Sequence, residues 1–227
     1  MENWLEALGE HTFVTQLIAL TELDAVALKL RYHMITKEPS DISDTMTPEE
    51  VDCRLERLQN EVQLAIDETL RLVKSHPNSP YASDGVFIKL SSRSAKDSPL
   101  YNVKLEEHYP EYMRQTKDRS LNTKTKALLH SATRLLKVDQ AQTAFEFFTK
   151  SERISEDISL ALTQRGDAFQ MNIVLRQWVD IDIDMEFRGF VCNGRLNALS
   201  QYNHIVTFDR LRMDSEYQSD IQQRSES

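Results

Sequence analysis

Cations crowd the end of one apolar run. In "VFIKLSSRSAKD" (residues 86–97), Lys89, Arg93 and Lys96 follow close on Val86, Phe87 and Ile88. Side chains alternate across a strand. An extended 86–93 therefore puts Phe87, Lys89, Ser91 and Arg93 on one face and Val86, Ile88 and Leu90 on the other. The second set has the chemistry of a core. The first lines up an aromatic body, an ammonium, a hydroxyl and a guanidinium. Such a row suits a triphosphate, since lysine acts as a point charge and arginine can grip two oxygens at once. It equally suits a solvated edge strand whose cations point at water, and the pattern alone does not separate the two.

A second row lies downstream in "MEFRGFVCNGRLNALSQY". Asn193-Gly194 is the dipeptide a type I′ turn requires, because both central residues need positive φ. A two-residue turn sets Cys192 opposite Arg195, Phe190 opposite Asn197, Arg188 opposite Leu199 and Glu186 opposite Gln201. Met185, Phe187, Val191, Leu196 and Ala198 are then expected to face a core, with Glu186, Arg188, Asn197 and Gln201 on the other side. Antiparallel sheets often solvate one face, so this second side also reads as solvent-exposed. Between the two rows, "RQWVDIDID" places Arg176 and Trp178 on one strand face ahead of Asp180, Asp182 and Asp184. Those acids could accept ribose hydroxyls or mark a solvent-facing edge. An EF-hand loop is excluded: counted from Asp180, its glycine position is Met185 and its closing glutamate is Val191.

Composition sets the limits. The chain has 227 residues, 40% hydrophobic and 28% charged, with a net charge of −9. That balance argues against a nucleic-acid coat, which needs a basic face to neutralise phosphates. Cys53 and Cys192 form no CxxC pair, so neither a disulfide framework nor a structural zinc is expected, and a reducing, cytoplasmic setting follows. "MENWLEALGE" lacks the basic and apolar regions of a secretory signal. "LIALTELDAVALKLRY" is interrupted by Glu22, Asp24 and Lys29 and does not read as a membrane span. With 5 glycines and no GxxxxGK[ST] or GxGxxG, the familiar phosphate loops are excluded. "VFIK" resembles a kinase strand lysine, but no Gly-rich loop precedes it and neither HRD nor DFG follows. The histidines are scattered and receive no role.

Three segments are expected to position these residues: a helical region over 1–76, a nucleotide-binding region over 77–207 and a polar tail over 208–227. Thr47, Pro48 and Glu50 form a helix start with a capping box. Val51, Leu55, Leu58, Val62, Ile66, Leu70 and Val73 then recur on one helical face, which reads as core packing rather than a coiled coil. "HPNSPYASDG" (76–85) is a loop, 86–91 a strand, and the connection through Pro110 polar. Residues 123–138 and 139–165 read as two helices, 172–181 as a strand, and the tail as a short helix with a frayed end.

"VFIKLSSRSAKD", "FFTKSERISEDI" and "IVLRQWVDIDIDMEFRGFVCNGRLNALSQY" occur in the order found in an ATP-grasp family, which the chain resembles over about 85–204. This is the family of the assembly chaperone for eukaryotic translation initiation factor two. The resemblance implies an α+β fold, two lobes of mixed and antiparallel sheet with helices around an ATP cleft, preceded here by the helical region. It implies that Lys89 contacts the phosphates, with Arg93 and Lys96 nearby. Arg176, Gln177, Trp178 and Val179 would form the hinge whose backbone reads adenine. Asp184 would approach the ribose, and Glu186 and Arg188 would point into the cleft.

The chain departs from the family after Tyr202. The family's magnesium ligands lie in a downstream strand and a D-x-N motif, and neither is found here. The chain is expected to be incomplete at its C-terminus; a degenerate site or ligands supplied otherwise are the alternatives. The implied function is an ATP-binding assembly factor, with a translation initiation factor subunit or another protein as partner and no nucleic acid or membrane. An ATP-dependent ligase or phosphotransferase, and a helical interaction module with a degenerate nucleotide site, are the other readings.

Overall fold

The computed structural model describes residues 12–37, 46–75, 83–164 and 166–213, together with Pro39 and Ser219. The loop expected at 76–85 and the end of the tail fall largely outside the described residues. The chain divides into two compact units, residues 1–106 with 132–179, and residues 107–131 with 180–227. The α+β class with antiparallel sheets holds.

The first unit is built on β1 (Thr15–Leu20), β2 (Val86–Leu90), β3 (Lys137–Val138) and β4 (Met171–Gln177), in the order β1-β4-β2-β3 with every pair antiparallel. β1 corrects the expectation of helix throughout 1–76. "TQLIAL" lies beside β4 in the register Thr15↔Arg176 to Leu20↔Met171. Tertiary pairing overrides a helical reading of so short an apolar run. Thr21 then ends the strand and starts α1 (Glu22–Thr36). Its side chain accepts from the Asp24 amide while Asp24 accepts from the Thr21 amide, and Lys37 closes the helix in a left-handed conformation at φ 59°.

α2 (Pro48–Lys74) follows the sequence closely. Thr47 and Glu50 form the reciprocal cap with Pro48 in the first turn, and Val51, Leu55, Leu58, Val62, Ile66 and Val73 are buried. α1 packs on α2 and on α6 (Glu152–Leu162), while α2 also packs on α5 (Ala141–Phe148) and β4. These helices and the Ile18, Ile88, Leu90, Ile173 and Leu175 face of the sheet enclose the main core. The stretch read as a single helix over 139–165 is two, because Ser151 caps a new start by accepting from the Ile154 amide. The connection read as polar through Pro110 contains α3 (Leu105–Arg114), which carries Pro110 inside it. α4 (Leu121–Leu135) precedes β3.

The second unit holds most of α3 and α4, the hairpin β5 (Phe187–Cys192) and β6 (Arg195–Gln201), and the short helix α7 (Asp209–Met213). Its apolar centre is small: Ile183, Val206 and Phe208, with Leu129 and Leu211 packed against them. The turn matches the sequence, with Asn193 at φ 53° and Gly194 at φ 72°. The register beyond it does not. Val191 faces Leu196, but Phe190 then faces Ala198, Gly189 faces Leu199 and Arg188 faces Ser200, so Asn197 is an extra residue in a bulge. Its side chain explains the position, since Asn197 Oδ1 accepts from the Cys192 amide at 3.0 Å. The expected core face is corrected as well. Met185, Val191 and Leu196 are 36%, 67% and 37% exposed, and Leu199, expected opposite them, has joined Leu196 on the same side.

Candidate functional site

In the first unit the sheet has two chemically distinct faces. β2 alternates as expected, with Val86, Ile88 and Leu90 buried and Phe87 and Lys89 half-buried. Paired residues share a face, so Phe87↔Arg176 and Lys89↔Val174 place Phe87, Lys89, Val174 and Arg176 on the side away from the main core. This side carries an aromatic ring, an ammonium and a guanidinium beside apolar surface. Burial pushes the Arg176 guanidinium below its ordinary value. Arg176 donates to Thr12 Oγ1 at 2.7 Å and sits over the Phe13 ring, 5.6 Å from its centre.

The predicted row does not continue beyond Ser91. The strand ends at Leu90, whose amide bonds to the Arg93 carbonyl at 3.0 Å, so the chain turns before Arg93. Ser91 is drawn to β4: its amide bonds to the Asn172 carbonyl, and its hydroxyl accepts from the Asn172 amide. Arg93 is directed at α6. Its Nε donates to Asp157 Oδ1 at 2.8 Å, and Nη2 donates to Glu156 Oε2 and the Arg153 carbonyl, each at 3.0 Å. The bonds from Arg93 to Asp157 and Glu156 raise the pKa of Arg93 above its ordinary value. Asp97 takes the start of the same helix, accepting from Ser151 Oγ at 2.6 Å and from the Arg153 amide at 3.3 Å. Lys96 is half-buried in the turn between them. Arg93 and Asp97 thus fasten the loop to α6, a role the sequence reading missed. The acids at 156 and 157 were its signal, visible only once α6 begins at Glu152.

Part of the backbone of 176–179, the segment expected to form a hinge, is already hydrogen-bonded within the first unit. The Gln177 amide bonds to the Val14 carbonyl at 2.8 Å and the Trp178 amide to the Gly85 carbonyl at 3.1 Å. Gln177 and Trp178 are buried, and Val179 is half-buried.

In the second unit, Asp180 and Asp182 are exposed, and Asp184 is drawn inward. Arg210 of α7 spans the last two, donating from Nε to Asp184 Oδ2 at 2.8 Å and from Nη2 to Asp182 Oδ2 at 3.0 Å. The Ile183 carbonyl accepts from Gln201 Nε2 and Asn203 Nδ2, and Asn203 Nδ2 also reaches Glu186 Oε2 at 3.5 Å. Arg188 is exposed and stacks over the Tyr202 ring at 4.6 Å. Burial, and then the charge of Asp184, push the Tyr112 hydroxyl above its usual value. Gln201 was expected on the polar side of the hairpin, whereas Arg210 and Asn203 were not singled out in the sequence, because neither lies in a segment with a periodic signal.

Among the described residues, no group of three or more His, Cys, Asp or Glu side chains could hold a metal ion. No helix among them is long and apolar enough to cross a membrane. The first unit also carries a cavity of about 390 Å³ between α1, α2 and α5, lined by Arg31, Asp52, Glu56, Phe145, Glu146 and Lys150 among others.

The comparisons bear on both units. No curated protein matches the sequence at a significant level. The fold is similar to that of Cdc123 from Schizosaccharomyces pombe, with a TM-score of 0.55 at 18% identity over 98% of this chain and 69% of that one. It is likewise similar to a C-terminally truncated Cdc123 from the same organism, with a TM-score of 0.53 at 17% identity over 97% of this chain and 69% of that one. Residues 125–226, a little under half of the chain, match the model of the D123 family.

Proposed function

We propose that the chain is a D123-family assembly factor of ATP-grasp type, which binds ATP and engages a subunit of translation initiation factor two in the cytoplasm. The observation that carries the nucleotide reading is the non-core face of the first sheet. There Lys89 stands half-buried on the same side as Phe87 and Arg176, which supplies phosphate-binding charge beside aromatic and apolar surface. The family match and the Cdc123-like fold support the assembly role.

Within this reading Lys89 contacts the phosphates, with Lys96 near it. Backbone groups of Arg176, Gln177, Trp178 and Val179 hold the base. Arg93 takes part only by holding the loop to α6. In isothermal titration with ATP, with and without magnesium, the chain is expected to bind and Lys89→Ala to lose most of that binding. Absence of ATP binding by the folded wild-type chain would sink the reading. Capture of the purified gamma subunit of the initiation factor tests the partner separately.

A further inference from the structure

The β5–β6 hairpin is exposed along most of both strands. An isolated two-stranded hairpin is marginal in water, and no third strand pairs with this one among the described residues. Its register sorts it into two faces. Phe187, Gly189 and Val191 share a side with Gln201, Leu199 and Leu196, and Leu196 leans so far over Gly189 that a Cβ there would meet its Cδ1 at 3.0 Å. That side is apolar yet open, with Val191 67% and Leu199 39% exposed. Arg188, Phe190 and Cys192 share the other side with Ser200, Ala198 and Arg195. In a chain of net charge −9, residues 187–201 contain two arginines and no carboxylate.

The two edges also differ. The bulge at Asn197 interrupts β6, and bulges blunt an edge against further pairing. β5 is unbroken from Phe187 to Cys192 and carries the most exposed apolar residues of the hairpin, Phe190 at 53% and Val191 at 67%. A strand added there alternates its side chains across both faces. One set would cover Val191 and Phe187, and the other would lie on the side of Arg188, with Arg195 one strand further.

We propose that the outer edge of β5 accepts an extended segment of a partner protein in which apolar residues alternate with carboxylates. A continuous edge offers main-chain hydrogen bonds that a lipid surface cannot use, and this favours a peptide over a membrane. The inference does not depend on nucleotide binding, and its test is run without ATP.

The test uses fluorescence anisotropy with a dye-labelled peptide alternating valine and aspartate, against one alternating valine and lysine. The acidic peptide is expected to bind about tenfold more tightly or better, since like-charge juxtaposition is costly, and to weaken as salt rises. Amide exchange is expected to slow along 187–192, Val191→Asp to remove the binding, and Val191→Thr to keep it. Equal binding of the two peptides overturns the proposal. So does slowed exchange confined to 195–201, binding to anionic phosphatidylserine vesicles with none to the peptide, or self-association in sedimentation that excludes the peptide.

Discussion

Arg210 holds Asp184 through two guanidinium nitrogens, Nε donating to Oδ2 at 2.8 Å and Nη2 donating to Oδ1, while Nη2 also reaches Asp182. The two acids are not equivalent. The Asp184 side chain is 14% exposed and that of Asp182 is 72% exposed. Removing Arg210 therefore strands a mostly buried carboxylate, whereas removing Asp182 returns one group to water. Arg210→Ala is expected to cost about 1–3 kcal/mol and Asp182→Ala less than about 0.5 kcal/mol. Arg210→Lys should not restore the loss, since an ammonium cannot make the paired contact. Urea unfolding, with amide exchange over 183–186, reads all three.

Lys89 and Arg93 looked alike in the sequence and are predicted to behave in opposite ways. Arg93 ties the loop to Asp157 and Glu156. Arg93→Ala is expected to lower stability by about 1–2 kcal/mol and to leave ATP affinity within about threefold of wild type, since hydrogen bonds to charged groups carry that order of energy. Lys89→Ala is expected instead to remove most of the ATP binding. Urea melts and ATP titrations of the two variants check this directly. Equal loss of affinity in both would show that Arg93 belongs to the nucleotide site.

How legible the fold was depended on whether local pattern or distant pairing decided each element. α2 was readable because its cap, its first-turn proline and its apolar face all agree over a long span. The hairpin turn was readable because only a few residues tolerate two successive positive φ angles. β1 was not readable, since its strand character comes from β4, far along the chain. The bulge escaped because Asn197 looks like any polar strand residue until its side chain meets the Cys192 amide. Lys89 was placed correctly by alternation. Arg93 was not, because alternation says nothing about where a strand stops.

Asp24 makes the fold sensitive to acid. Its burial opposes ionisation, but bonds from Thr21, Arg54 and Arg57 outweigh this and hold its carboxyl below the usual carboxylate value. Arg54 donates to it at 3.1 Å and Arg57 at 2.7 Å, and it completes the α1 cap. A depressed folded pKa means that the stabilisation is fully present above the unfolded value, about 3.9, and is lost as pH falls through the folded value. Asp157 adds in the same direction: burial opposes its charge, and Arg93 and Ser92 overcome it. Asp24→Asn is expected to lose about 2–4 kcal/mol at neutral pH and to flatten the acid limb of the stability curve. Chemical denaturation between neutral pH and pH about 3 measures both, and an unchanged acid limb would discard the assignment.

The same helix supplies a contrast between buried and exposed positions. Ile66 of α2 is 0% exposed within the main core, and Leu64, two residues earlier, is 71% exposed. Ile66→Ala is expected to cost about 2–5 kcal/mol through lost burial and the cavity left behind. Leu64→Ala should lie within about 0.5 kcal/mol of wild type. Thermal unfolding of the pair distinguishes core packing from a coiled-coil seam, in which Leu64 would matter as well.

Asn197 allows the hairpin register itself to be tested. The residue is extra to the ladder, so its deletion leaves Val191↔Leu196, Phe190↔Ala198 and Gly189↔Leu199 able to pair in an unbroken strand. Replacement by alanine keeps the extra residue but removes the acceptor for the Cys192 amide, 3.0 Å away. Asn197→Ala is therefore expected to be the more damaging change, by up to about 1 kcal/mol for one exposed hydrogen bond. It should speed amide exchange at Cys192, whereas the deletion should preserve cross-strand proximity of Gly189 and Leu199 in nuclear Overhauser spectra. A deletion that instead brings Gly189 opposite Ala198 would require the two-residue turn to slip by one residue, and would show that the turn does not hold the register.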